Sequence, residues 1–235
     1  MALVTESIWT RKPKAAPARE TLTREQIVRT AMETLDADGL AGLSMRKLAA
    51  KLDAGATSLY WHVPTKDDLI DLLIDEAWGE IDVPDPGLAG WRSGVLLFAH
   101  SLRAGIMRHP WLPEVMYTRP SMGPQAMAMG SRGLALIGAA GFTGRDADFA
   151  LGTVMSYVLG SAGGEVATRQ MARKAGQFVE QLAGAVFEQT NQIADDTMRE
   201  SARRRVEGDI EGMFYDSFTY GLEVILEGLS RNATE

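Results

Sequence analysis

The chain has 235 residues, 46% hydrophobic and 23% charged, the balance of a soluble globular protein with room for one large domain or two small ones. It has no cysteine, which excludes disulfides and thiolate metal sites, and three histidines (His62, His100 and His109) leave little for a multi-histidine metal centre. The net charge of −7 speaks against nucleic-acid binding over the whole surface, but residues 1–66 hold ten Lys and Arg against seven Asp and Glu (net +3), and residues 67–235 fourteen against twenty-four (net −10).

A small basic end on an acidic body suits a DNA reader confined to that end. No apolar run approaches the roughly eighteen residues of a membrane span, and the N-terminus shows no apolar leader, so a cytoplasmic protein is expected.

Residues 1–20, with Arg11-Lys12-Pro13-Lys14 and Pro17, lack periodicity. They read as a flexible basic arm, either a solvated tail or one that touches phosphate or a minor groove. Thr23-Arg24-Glu25-Gln26 is a capping box, followed by Ile27, Val28, Ala31, Met32 and Leu35 at helical spacing and by Asp38-Gly39 as a stop. Ser44 caps a second short helix with Met45, Leu48, Ala49 and Leu52 inward and Arg46, Lys47 and Lys51 outward. A turn containing Gly55 leads into a third helix that buries Leu59 and Val63 and leaves Thr57, Ser58, Tyr60 and His62 pointing away. Trp61 is expected in the core of so small a domain. A fourth helix starts at Lys66 and runs to about Trp78.

Two short helices joined by a tight turn form the motif that lays its second helix in the DNA major groove. Arg46 has the reach for a bidentate guanine contact, and Lys47 and Lys51 suit phosphate or a solvated face. Thr57 and Ser58 are short hydroxyl donors for a base edge or a phosphate. Tyr60 and His62 suit phosphate, Tyr60 also a thymine methyl, and Lys66 ends the array as a phosphate contact. Over residues 23–78 the chain resembles the TetR family of bacterial one-component repressors. The likeness lies in Ser44-Met45-Arg46-Lys47-Leu48-Ala49 and above all in Thr57-Ser58-Leu59-Tyr60-Trp61-His62-Val63 with Lys66 behind. Gly55 and Ala56 are small where base-reading side chains would stand, so no operator sequence carries over.

Val83-Pro84-Asp85-Pro86-Gly87 breaks the chain. The expected organisation is an all-α protein: a three-helix helix-turn-helix domain at 21–80 and a helical ligand-binding and dimerisation domain at 81–235. In the second part helices are expected at about 88–108, 123–140, 145–168, around 178–187 and at 210–229. The Arg108-His109-Pro110-Trp111 turn follows the first of these, and 191–207 is read as a loop or frayed helix end. This half resembles the family's effector domain through helix order and that turn.

The last helix carries Phe214, Phe218, Leu222 and Ile225 on one side and Met213, Tyr220 and Val224 on another, and 160–164 is a run of small residues. Such surfaces suit a four-helix bundle shared by two copies, a homodimer placing two readers on a two-fold operator roughly 34 Å, or a multiple of a DNA turn, apart. An apolar or aromatic small-molecule effector is expected, lined by Trp91, His100, Met107, Trp111, Met116 and Met155. Its entry would shift the 88–108 helix against the 66–78 helix and change the readers' spacing. No cofactor is expected, and beyond His100 no ligand set for a magnesium ion converges. The alternatives are a regulator with a protein effector or an activating role, and a helical enzyme. Against the enzyme stands the lack of a phosphate loop, a nucleophile elbow or paired carboxylates.

Overall fold

The computed structural model describes residues 7–9, 11 and 22–232, with twelve helices and no strand among them. Most of the basic-arm segment therefore lies outside the described residues. Thr23 caps α1 (Arg24–Gly42) by the expected reciprocal pair: Gln26 N–H donates to its hydroxyl at 3.2 Å and its own N–H donates to Gln26 Oε1 at 2.9 Å. The expected stop at Asp38-Gly39 is a kink instead. Gly39 takes φ 66°, where an L side chain is strained, yet helix resumes to Gly42.

Ser44 caps α2 (Met45–Lys51), α3 (Ala56–His62) follows, and Thr65 caps α4 (Lys66–Gly79) by accepting Asp68 N–H at 3.0 Å. Ile27, Ala31, Leu35, Leu48, Leu59, Val63, Leu69 and Leu73 close this small core. Gly55 sits at φ −66°, so the left-handed residue of the turn between α2 and α3 is Asp53 at φ 48°. Asp tolerates that region through its short polar side chain.

The Pro/Gly break holds one short turn of helix, α5 (Pro86–Ala89). Then come α6 (Trp91–Arg108), α7 (Leu112–Val115), α8 (Pro124–Gly138), α9 (Gly144–Lys174), α10 (Val179–Ile193), α11 (Asp196–Val206) and α12 (Ile210–Asn232). α6 packs on α8 and α9, and α9 on α12. At the last crossing a Cβ on Gly221 would lie 2.2 Å from the Tyr157 hydroxyl, so a larger residue would have to displace that ring.

α11 corrects the loop reading of 191–207. No residue of it is buried, which is why no apolar stripe announced it. It is held by local means: Asp195 accepts Met198 N–H at 2.8 Å, Asp196 lies in the first turn, Arg203, Arg204 and Arg205 lie in the last, and Arg199 pairs with Asp196 at 2.9 Å.

α4 is gripped by both halves. It packs on α1 on one side and on α8 on the other. Buried Asp75 accepts the N–H groups of Gln125 and Ala126 at 3.3 and 2.9 Å, capping α8 from outside, and Gly123 passes so close that a Cβ would meet the Asp75 carboxyl at 2.2 Å. Arg119 reaches Asp71 at 2.8 Å, and Trp78 donates to Ser121 at 3.2 Å. Arg11 forms a two-pronged pair with buried Asp68 at 2.9 and 3.0 Å, so this residue of the basic arm is docked on α4.

Candidate nucleic-acid interface and effector domain

The reading head is built by exclusion. α3 is seven residues long and buries Leu59, with Val63 closing the core just beyond its end. The rest of the helix must face outward. Thr57 and Tyr60 are exposed and Ser58 and His62 half-buried, on the same short helix. Trp61 departs from expectation: at 48% exposure it stands beside Tyr60 at 47% rather than in the core. Two positions on from Leu59, a helical residue lies about 200° around the axis, so the inward place was already taken. The helix period would have shown this where the general tendency of tryptophan to bury did not.

On α2, Arg46 and Lys47 are exposed. Lys51 donates to the Thr34 hydroxyl at 3.2 Å. Lys66 donates to the Leu43 carbonyl at 2.8 Å and so ties the start of α4 to the entrance of α2.

In the other half, the expected effector residues spread along α6, α7 and α9. Trp91 and Met107 are half-buried on α6, sixteen residues or about 24 Å apart along the helix axis. Met116 and Met155 are half-buried against the core, and Trp111 is 1% exposed. His100 stands among aromatic rings, its centroid 5.6 Å from Tyr215 and 5.2 Å from Phe218. Burial, and after it the nearby Arg103 charge, hold the imidazole below its ordinary value. A neutral ring offers one donor and one acceptor in an aromatic setting.

Beside it runs a chain of charges the sequence reading missed. Arg103 pairs with Glu165 at 2.5 Å, Glu165 with Arg169 at 2.8 Å, and Arg169 with Glu211 at 2.9 Å. Glu165 is only 4% exposed. The Arg103 guanidinium lies 5.4 Å from the Phe218 ring, and its Nε is a buried donor with no acceptor. The available signal was Glu165 itself, a carboxylate continuing the stripe of Leu151, Val154, Val158 and Ala162 at helical spacing.

The two halves meet at a cleft of about 620 Å³ lined by α1, α4 and the turn after α6. None of the six expected effector residues lines it. At its inner end His109, 2% exposed, is held between two carboxylates: Nδ1 is 2.8 Å from Asp36 of α1, and Nε2 is 3.1 Å from Glu80 just beyond α4. Burial pushes the Glu80 carboxyl up, but hydrogen bonds from His109 and Arg108 outweigh it and hold the group below its ordinary value. Among the described residues no cluster of three or more His, Asp or Glu has the arrangement to hold a metal ion, and no helix is long and apolar enough to cross a membrane.

Residues 27–73 match the family described as bacterial regulatory proteins, tetR family, and residues 83–233 match the tetracyclin repressor-like C-terminal domain. An HTH-type transcriptional repressor, DrrR1 of Streptomyces coeruleorubidus, is 34% identical over 97% of this chain and 85% of its own. An HTH-type transcriptional regulator of Saccharopolyspora erythraea is 43% identical over 68% of this chain and 67% of its own. The crystal structure of the Streptomyces coelicolor TetR family protein ActR in complex with actinorhodin superposes with a TM-score of 0.74, at 32% identity, over 92% of this chain and 99% of that one.

Proposed function

This chain belongs to the TetR family of bacterial regulatory proteins and is a transcriptional repressor rather than an enzyme, and from that premise we propose that it is a cytoplasmic homodimer whose grip on a two-fold operator is released by an aromatic small molecule. Arg46 and the outward face of α3 (Thr57, Ser58, Tyr60, His62) read the major groove, with Lys47 and Lys66 on phosphate. Trp61 joins that face, because it is exposed beside Tyr60.

The dimer reading rests on surfaces left apolar in the single chain. Phe149 on α9 is 62% exposed, and Tyr220 and Val224 on α12 are 75% and 55% exposed. Gly152, Gly160 and Gly164 on α9 have open space where a side chain would stand, room for a helix of a second copy to approach closely.

The effector reading rests on one observation above the others. His100 lies within ring contact of Tyr215 and Phe218, beside the acceptor-less Nε of Arg103. Flat rings beside two polar hydrogen-bonding groups suit a planar aromatic compound carrying oxygen acceptors. Met107 and Met155 supply adaptable wall on α6 and α9, while Trp91, Trp111 and Met116 extend the lining toward its ends. The similar ActR structure is a complex with actinorhodin, which supports this reading.

The test is sequential. An operator is first selected from random duplex DNA with the purified protein. Arg46→Ala and Tyr60→Ala should then weaken binding, Arg46→Ala relaxing base preference at one position of each half-site by about 1–3 kcal/mol. Binding unaffected by both changes sinks the assignment of the reader. A panel of planar aromatic acids and quinones should next release the DNA from the parent protein and not from His100→Ala. If none releases it, the effector reading fails while the reader stands.

A further inference from the structure

The route by which the effector domain holds the reading head can be followed atom by atom at the junction. Asp36 lies on α1, one turn beyond Met32 and beside buried Leu35. A single oxygen of it, Oδ1, takes two contacts from the turn after α6: His109 Nδ1 at 2.8 Å and the Trp111 indole N–H at 2.8 Å. Both partners are almost wholly buried, whereas the Asp36 side chain is about a third exposed. The other nitrogen of His109 reaches Glu80, which Arg108 also contacts.

The imidazole is thus a strut between α1 and the end of α4, and the indole is a second tie to α1. The rings of His109 and Trp111 lie 5.9 Å apart, so the two ties are themselves packed together. α1 in turn packs directly on α2, which packs on α3.

From this geometry we propose that Asp36 is a positioning residue through which the α6–α7 turn sets the orientation of the reading head. The displacement enters the head through α1 as well as along α4. A turn that moves with α6 must either carry Asp36 with it or strand two buried donors, and a stranded buried donor is costly. The coupling is therefore all-or-none in character: the tie is kept and α1 moves, or it breaks and the head is freed. The inference needs the two-domain repressor but no particular effector.

The absence of cysteine makes the test clean. Ala50→Cys on α2 and Arg173→Cys at the end of α9, both exposed, take spin labels in the full chain, which is diluted with unlabelled protein so that only distances within one chain are read. The parent should give one narrow distance distribution. Asp36→Ala should broaden or shift it, while Asp36→Asn, whose amide oxygen still accepts from Trp111, should restore much of the narrowness. Glu33→Ala changes an exposed carboxylate on the same cleft that makes neither tie, and it should leave the distribution as in the parent.

His109→Gln, which removes one tie and keeps the Trp111 contact with Asp36, should broaden the distribution less than Asp36→Ala does. An unchanged distribution in both Asp36→Ala and His109→Gln overturns the proposal. So does equal broadening by Glu33→Ala, which would make the charge of the cleft, and not the tie, the determinant.

Discussion

The α2–α3 helices of the reading head and the effector half handle charge in opposite ways. In the head, the buried side chains of α2 and α3 are apolar, and Arg46 and Lys47 stand in solvent. In the effector half and at the junction, charge is taken inside: Glu165, Asp75 and His109 are all within 5% of full burial, each satisfied by partners on other helices. A head that must meet phosphate needs its cations free and its core indifferent to them. On the proposed effector reading, such a half gains from contacts that are satisfied in one geometry and expensive in any other.

That contrast breaks first, and by most, at Glu165. Glu165→Leu leaves the half-buried Arg103 with its carboxylate gone and Arg169 turned back on Glu211. Removing one partner of a buried pair costs about 3–5 kcal/mol. Arg46→Leu in the head should change unfolding free energy by no more than about 0.5 kcal/mol. Urea unfolding of both variants compares them directly. Replacing Arg103 by Met together with Glu165 by Leu should recover most of the loss, since an apolar pair asks for no partner. If Glu165→Leu costs no more than the surface change, the buried network is not what holds α6 to α9.

The next largest effect separates two glycines on the same pair of helices. Gly221→Ala places a methyl 2.2 Å from the Tyr157 hydroxyl, which donates to the Phe218 carbonyl at 2.8 Å. Overpacking of this kind costs about 1–3 kcal/mol. Gly160→Ala meets nothing within the chain, so its fold should be no less stable. On the dimer reading the same change crowds the second copy. Sedimentation should then show weaker association for Gly160→Ala at unchanged helix content, and equal association would remove α9 from the interface.

What the sequence reveals follows the same division. Thr23 and Ser44 announce helix starts because a cap and its partner are three residues apart, and the structure finds both caps in place. Leu59 and Val63 are legible by period. Gly39 breaks the helical backbone as its type suggests, but a further turn of helix follows the kink to Gly42, which a stop signal alone does not foretell. α11 is invisible to periodicity because it buries nothing. The Asp36 contacts with His109 and Trp111 join positions 73 and 75 residues apart, and the Arg103–Glu165 pair spans 62. No local rule reaches so far. The outward face of α3 could thus be named from the sequence apart from Trp61, whereas of the polar groups near the aromatic rings only His100 could.

The smallest expected effect tests whether the effector half is the pH-sensitive one. His100 is held below its ordinary value by burial and then by Arg103, so the unfolded chain binds a proton there more readily than the folded one. Where the unfolded state holds more protons, stability rises with pH. The favourable condition is therefore complete above the ordinary histidine value of about 6.5, and stability falls as acidification carries the solution down toward the folded-state value. The carboxyl of Glu80, also held low, adds loss of the same sign only at more acidic pH, as the solution passes the carboxylate range. Between pH 7 and 5.5 the parent should lose a fraction of a kcal/mol, reading His100 as a half-exposed group partly screened by solvent. His100→Phe, which keeps a ring against Tyr215 and Phe218, should flatten that part of the profile while leaving the more acidic limb unchanged. A profile equally steep in His100→Phe would move the sensitivity to another group, and the contrast between the halves would then rest on packing alone.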